Sequence, residues 1–326
     1  MPIRIGANPL CWMNSDIPSL GADIPVDQCV SEVALIGYKG IELEDPLRKA
    51  LQKMPSILQD RNLELIGGWH STNLLENDIL TEKSRLKEHL DFLQSQGSSL
   101  AIIGECSYAT HRNPDTGLSK RPVLETDEWQ RLCEGLEALA EYVEERGMKT
   151  AYHHHMGTVV QSEEDINKLM DKTSKLGLLL DTGHLAYAQA NLKSVLEKHI
   201  NRVTHVHAKN IRFGVLKELL AKDSSFPEAI LEGVFTVPGE NGYDDTDGLN
   251  FLKLVQQLVE MEYDGWLVME AEQDPAKAHP LTYARIGYQY LHYLLSKALL
   301  YKHPTQSVGG GVMRDVEVGS LMTPST

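Results

Sequence analysis

Short apolar runs alternate along the chain with longer segments of helical period, and the alternation repeats eight times. Ile3 to Ala7 reads as a strand, and Val26 to Ile36 as a helix with apolar positions at Val30, Val33 and Ala34. Gly40 to Leu43 is the next strand, followed by a helix from about Pro46 to Asp60. Leu63 to Gly67 and Leu100 to Ile103 are the third and fourth strands, each trailed by a helix, Thr81 to Gln94 and Asp127 to Glu145. Lys149 to His153 leads to a helix around Glu163 to Met170, and Leu178 to Asp181 to one at Leu192 to His199. Val203 to His207 and Trp266 to Glu270 complete the strands, with helices Leu249 to Met261 and Leu281 to Leu299. Eight strand–helix units in strict alternation predict a parallel α/β fold, and that count favours a single (β/α)8 TIM barrel over a doubly wound sheet.

Two connections are long. Residues 106–125, after strand four, are polar and turn-rich, and residues 211–247, after strand seven, carry helical patterns around Leu216 and Ala229. Both leave from the C-terminal face, where barrel loops build active sites, so both are expected lids or surface decoration of the mouth. Past Tyr301 the chain turns to Gly309-Gly310-Gly311 and a polar end. The expected organisation is a catalytic barrel over 1–303 and a flexible tail over 304–326.

Composition narrows the partners. The 326 residues are 42% hydrophobic, ample for one large core. There is no apolar run of about 18 residues and no signal-peptide pattern at Met1-Pro2-Ile3-Arg4, so a cytoplasmic protein away from membranes is expected. The formal charge of −15 disfavours nucleic acid as a partner, which matters because this barrel architecture also hosts endonucleases. The four cysteines, Cys11, Cys29, Cys106 and Cys133, form no CxxC pair, which argues against a structural zinc knot. A homo-oligomer is compatible with all of this.

The chemistry lies where apolar strands end. Strand five runs into Tyr152-His153-His154-His155, strand six into Asp181-Thr182-Gly183-His184, strand seven into His205-Val206-His207-Ala208-Lys209-Asn210 and strand eight into Glu270-Ala271-Glu272. Taken singly, each has a plain explanation; Asp181, for instance, could cap the next segment. Their coincidence at the C-terminal ends of four successive strands points to one shared metal site. Strand alternation puts His153 and His155 on one face with His154 on the other, and likewise pairs His205 with His207. The resulting ligand set is His153, Asp181, His207 and Glu270. Nitrogen and oxygen donors without thiolate suit Mn²⁺, Co²⁺, Fe²⁺ or Zn²⁺.

Several segments together resemble the inosose dehydratases, a family of xylose-isomerase-like sugar isomerase and epimerase barrels. They are Tyr152-His153-His154-His155-Met156-Gly157-Thr158, Asp181-Thr182-Gly183-His184-Leu185, His205-Val206-His207-Ala208-Lys209, Val234-Phe235-Thr236-Val237-Pro238-Gly239 and Glu270-Ala271-Glu272-Gln273-Asp274-Pro275. Asn8-Pro9-Leu10-Cys11-Trp12 and Gly68-Trp69-His70-Ser71 match as well. The resemblance spans roughly residues 3 to 300. It implies a hydro-lyase of myo-inositol catabolism that removes water from 2-keto-myo-inositol (scyllo-inosose), giving a trihydroxycyclohexane-1,2-dione, with Mn²⁺ or Co²⁺. By resemblance Asp181, His207 and Glu270 are ligands, and His153 stands where the superfamily usually has a glutamate. Epimerases of that superfamily use two metal-bound carboxylates, so this replacement disfavours epimerisation and suits elimination. Asn210 also departs from an aspartate common in related dehydratases.

Elimination from a β-hydroxy ketone needs an acidified α-proton, a base, and an acid for the departing hydroxyl. Glu270 is the expected base; His184, His155 and, more distantly, His70 are expected acids. Lys209 either neutralises the enediolate or forms a salt bridge with Glu240 or Glu272. Asn8, Trp12, Glu42, His70, Glu105 and Asn210 are expected to touch substrate, and Glu44 and Trp69 share that placement. Arg112, Lys120 and Arg121 would suit a phosphate, but no glycine-rich cradle accompanies them. The alternatives are a metal-dependent ketose 3-epimerase or sugar isomerase, and a metal-free sugar-binding barrel.

Overall fold

The structure, a computed structural model, describes residues 3–242 and 248–302. Eight parallel strands close into a barrel: β1 (Arg4–Ala7), β2 (Gly40–Leu43), β3 (Glu64–Thr72), β4 (Leu100–Glu105), β5 (Lys149–His153), β6 (Leu178–Asp181), β7 (Val203–Ala208) and β8 (Trp266–Met269). Each neighbours the next, and β8 closes onto β1 through the register Arg4↔Trp266 to Ala7↔Met269. Around it lie α1 (Val26–Ile36), α2 (Asp45–Lys53), α3 (Ile79–Ser95), α4 (Thr126–Glu145), α5 (Glu163–Lys172), α6 (Thr182–Tyr187), α7 (Leu192–His199), α8 (Phe213–Lys222), α9 (Phe226–Leu231), α10 (Phe251–Glu260) and α11 (Pro280–Lys302). Every expected strand is present. The helix expected from Pro46 to Asp60 stops at Lys53, because Pro55 disfavours helical backbone at Met54. The tail expected over 304–326 lies outside the described residues.

The interior of the barrel changes character from bottom to top. At the N-terminal end Trp266 and Ile66 fill the space left by glycines: a Cβ on Gly6 would sit 2.2 Å from Ile66 Cδ1, and one on Gly40 2.7 Å from Trp266. Ile102, Ala151, Leu179 and Val268 pack with them in one buried cluster. Two residues further along their strands, alternation brings His153, Asp181 and Glu270 inward, at the C-terminal mouth. The same side chains that end the apolar packing therefore begin the polar site. A larger apolar cluster joins the outer faces of the strands to the helices.

The two long connections meet over the mouth. The segment after β7 returns on itself through a short antiparallel ladder, Asn210↔Thr236 and Ile211↔Phe235, and carries α8 and α9. The segment after β4 is tied to it by a Gly117↔Ser225 bridge and by Ser119, whose N–H and Oγ donate to Asp223 at 2.9 and 2.6 Å. Among the described residues no helix is long and apolar enough to cross a membrane.

Candidate metal centre and active site

The register of β6 and β7 sets Asp181 directly beside His207, and β5 and β8 deliver His153 and Glu270 to the same space. His207 Nδ1 lies 2.9 Å from Glu270 Oε2 and 3.4 Å from Asp181 Oδ2; His153 Nε2 is 3.6 Å from the same Asp181 oxygen. All four side chains are buried. Asp181 serves two roles at once. Its Oδ1 caps α6 by accepting from His184 N at 2.8 Å, while Oδ2 is turned into the cluster.

Hydrogen-bond partners assign the imidazole protons. His153 Nδ1 is 2.6 Å from the His154 carbonyl, which can only accept, so in the neutral ring Nε2 carries the lone pair. That lone pair faces a carboxylate oxygen. His207 Nε2 donates to Glu42 at 3.0 Å, which leaves Nδ1 facing two carboxylates. Asp181 Oδ2 and His207 Nδ1 are both buried without a directed hydrogen bond. Acceptors turned on one another in a buried space call for a cation between them, so the residues present fit a divalent metal. Without one, a proton on His207 takes its part: burial opposes the charge, but Glu270 and Glu42 hold the imidazole well above its ordinary pKa. His153, by contrast, is kept neutral by burial and by the His207 charge.

Glu42 holds this arrangement from below. Its carboxylate accepts from Asn8 Nδ2 at 2.7 Å, His205 Nε2 at 2.5 Å and His207 Nε2 at 3.0 Å. Burial alone would favour its protonation, but His207 and His205 drive its pKa far below the usual carboxylate range. Lys209 balances the upper carboxylates, with Nζ 2.6 Å from Glu270, 2.8 Å from Glu272 and 3.3 Å from Asp181. Burial disfavours the ammonium, yet those three carboxylates raise its pKa. Of the expected salt bridges the one to Glu272 is present; Glu240 instead pairs with Arg212 at 2.5 Å. Gly183 makes room for the lysine stem, since a Cβ there would lie 2.4 Å from Lys209 Cγ. Burial pushes the Glu272 carboxyl up to about 7 against the pull of Lys209.

A cavity of about 420 Å³ opens above the cluster, within the usual size for small-molecule sites. Its wall includes Asn8, Glu42, Glu44, Trp69, His70, His155 and Glu272 beside His153, His207 and Glu270. Trp69 is held by its Nε1 donating to Ser71 Oγ at 2.7 Å, with its ring 5.3 Å from that of His153. Residues not singled out in the sequence also line it: Ser15, Asp16, Arg48, Arg85 and His111. The loops that bring Ser15 and His111 carry no periodic signal that could have placed them. Arg112, considered for phosphate, is bound to Asp16 at 2.9 Å, and Arg121 to Asp165 at 2.9 Å.

Of the expected substrate contacts, Trp12, Glu105 and Asn210 stand off the cavity wall, whereas Glu42 lies on it. Trp12 follows the 3-10 turn Pro9–Cys11, which rotates it into the core, where Nε1 donates to Glu32 on α1 at 2.6 Å. Glu105 turns back to accept from Thr72 Oγ1, Leu74 N and Ser107 N, and so anchors two loops. Asn210 Oδ1 accepts from Ile211 N and Leu249 N, bracing the segment after β7. Glu42 reaches the cavity wall, but its oxygens are taken by Asn8 and the two histidines. Of the expected acids, His184 is 1% exposed and absent from the cavity wall. Its Nδ1 accepts from Met156 N at 3.4 Å, so Nε2–H faces Glu272, 3.6 Å away.

Comparison with known proteins agrees with the fold. Residues 30–293 match the model of the xylose isomerase-like TIM barrel family. Over 293 residues the chain is 39% identical to the inosose dehydratase of Clostridium tetani, covering 89% of this chain and 96% of that protein. The chain belongs to the inosose dehydratase family. A second relative of this family member, the rhizopine catabolism protein MocC of Rhizobium meliloti, is 39% identical over 292 residues, 89% of this chain and 88% of MocC. Among solved structures, IOLI protein with a bound zinc atom superposes with a TM-score of 0.62 at 15% identity, covering 90% of this chain and 99% of IOLI. At that identity the likeness shows the fold alone.

Proposed function

We propose that this chain is an inosose dehydratase, a hydro-lyase that removes water from 2-keto-myo-inositol to give a trihydroxycyclohexane-1,2-dione. The observation that carries this reading is the donor set: two imidazoles and two carboxylates converge, and by the resemblance His153 stands where an epimerase has its second carboxylate. Membership of the inosose dehydratase family supports it.

His153, Asp181, His207 and Glu270 would hold one divalent ion, for which we propose Mn²⁺ or Co²⁺. When bound, that ion supplies Lewis-acid polarisation of the substrate ketone and acidifies the neighbouring C–H. The chain supplies the rest. Glu270 stands at the cavity wall as the base for the α-proton. Glu42 fixes the His207 ring and its tautomer, as carboxylates commonly do behind a ligating histidine. Lys209 keeps Glu270, Glu272 and Asp181 from repelling one another and places positive charge next to the developing enediolate. Trp69 offers an apolar face to the C–H side of a ring, and His70 a neutral imidazole, its pKa drawn down to about 4 by burial and by Arg85 and Arg48. His155, with its proton on Nδ1 toward the Met156 carbonyl, presents Nε2 as an acceptor for a substrate hydroxyl. A cytoplasmic setting is part of the proposal, consistent with four unpaired cysteines.

Product analysis tests the reading. The purified protein is supplied with 2-keto-myo-inositol and, separately, with ketohexoses, and the products are identified by NMR. Dione from the inosose is expected, with no turnover by His207→Ala or Glu270→Gln. Epimerised ketohexose without dione would replace this reading with the epimerase alternative.

A further inference from the structure

We propose that Glu44 is the general acid of the reaction, the group that protonates the departing hydroxyl. The inference rests on the dehydratase reading above and identifies a catalytic residue within it.

The argument begins with what an acid must be. It has to touch the substrate cavity, and it has to hold a proton in the resting enzyme. The three histidines expected as acids fail one condition or the other. His184 is buried behind the wall. His155 reaches the cavity, but its proton is given to the Met156 carbonyl and its free nitrogen accepts. His70 is neutral for the reason already given.

Among the carboxylates that line the cavity and are at least half-buried, most are bound to a positive or proton-donating group that favours the ionised form. Asp16 has Arg112, Glu42 has His205 and His207, Glu270 has His207 and Lys209, and Glu272 has Lys209. Glu44 differs from all of them: among the described residues no Lys, Arg or His nitrogen lies within ion-pair distance of it. Its side chain accepts from Ser15 Oγ, donated to Oε2 by the loop after β1.

The backbone explains how it comes to be there. Glu44 follows Glu42 by two residues, so alternation aims both inward, Glu42 below the metal cluster and Glu44 at the mouth. It also occupies the N-cap position of α2, with extended backbone at φ −114°, ψ 161°. A side chain in that position ordinarily accepts from the first turn of the helix, yet Glu44 makes no capping bond and is turned to the cavity instead. Removal from water, reinforced by the nearby Asp16, Glu270 and Glu42 charges against the Ser15 hydrogen bond, pushes its carboxyl up to about 8, so it carries a proton at neutral pH.

The step balances simply. Glu270 takes the α-proton, and the C–H electron pair becomes the C=C of the enediolate. As the ketone re-forms, that pair moves to make the new C=C and the β-carbon–oxygen bond breaks with its electrons on oxygen. The departing oxygen takes the Glu44 proton and leaves as water, and the resulting enol tautomerises to the dione. Glu44, now a carboxylate, regains a proton from solvent while the Glu270 proton is released.

Glu44→Gln and Glu44→Asp, both checked for native Tm and metal content, test this in two assays. One follows dione formation; the other follows deuterium uptake from D₂O at the α-carbon of recovered substrate by NMR. Glu44→Gln is expected to lower kcat for dione by about 10²- to 10⁴-fold with little change in KM, the range for loss of a general acid. Deuterium uptake should persist, because the base is intact, and Glu44→Asp should recover part of the dehydration. If Glu44→Gln dehydrates within about threefold of wild type, or if uptake and dehydration fall together, the assignment is wrong. Wild-type protein that forms no dione overturns the dehydratase reading and this inference with it. An active wild type alongside an active Glu44→Gln overturns the inference alone.

Discussion

Replacing Glu42 by glutamine changes one oxygen for an NH₂ and removes one charge, yet it should weaken the proposed metal site, which Glu42 does not itself enter. In the structure three donors converge on that carboxylate, from Asn8, His205 and His207. An amide has one accepting oxygen and two donating hydrogens, so its NH₂ must face either the Asn8 amide or the histidine N–H groups. The less costly orientation keeps the oxygen on the histidines and loses the Asn8 bond. The two histidine bonds also lose their charge assistance, worth about 1 kcal/mol each, and the Asn8 bond about 1 kcal/mol more. The total is a destabilisation of about 2–4 kcal/mol, shared between the fold and the orientation of His207. Removing an outer carboxylate behind a ligating histidine typically lowers metal affinity by about 10- to 100-fold. Competition with a chromophoric chelator gives the metal Kd, and thermal unfolding of the metal-free protein gives the stability part. A lowered Tm with an unchanged Kd would mean that Glu42 serves the fold alone and would refute its part in holding His207 for the metal.

Other outcomes follow from the same geometry. Gly183→Ala places a Cβ within 2.4 Å of Lys209 Cγ, so the lysine must leave Glu270 and Glu272; kcat should fall at least about tenfold while the circular dichroism of the barrel is kept, and an unchanged kcat would exclude a catalytic part for Lys209. His89 is kept neutral down to about pH 3 by burial and by the charges of His70 and Arg48. In the unfolded chain it takes up a proton near pH 6.5, so the folded state loses stability as pH falls from about 6.5 towards 3, by about 1.4 kcal/mol per pH unit at most. His89→Gln can keep the bonds to the Gly68 carbonyl and Arg48, and it should flatten that part of the Tm–pH curve; an unaltered acid limb would assign the loss to other groups.

The strands and the convergence of His153, Asp181, His207 and Glu270 at the barrel mouth are legible because both depend on short periodicities. Apolar strand residues alternate inward and outward, and the last inward position of β5, β6 and β7, and the first beyond β8, is a histidine or a carboxylate. What the sequence could not convey was the direction of side chains once the strand ends. Trp12 and Glu105 each sit within a few residues of a strand end, but a 3-10 turn carries the first into the core and backbone N–H groups draw the second into a loop. Asn210 belongs to a two-residue ladder that has no periodicity to read. Glu42 is expected at the cavity and lines it, and only the long-range meeting of β2 with β7 shows that its carboxylate also holds His205 and His207. Asp181 as a cap and Asp181 as a ligand are compatible, because its two oxygens point in different directions.

The account rests on a metal held by His153, Asp181, His207 and Glu270 and on water elimination as its purpose. Chelator-stripped protein titrated with Mn²⁺ or Co²⁺ in the presence of scyllo-inosose tests both together, with the ultraviolet absorbance of the dione as the signal. The account predicts no signal from the stripped protein and a rate that rises to a plateau at about one ion per chain. Dione formed equally well without metal, or a saturated metal site that forms none, would contradict it.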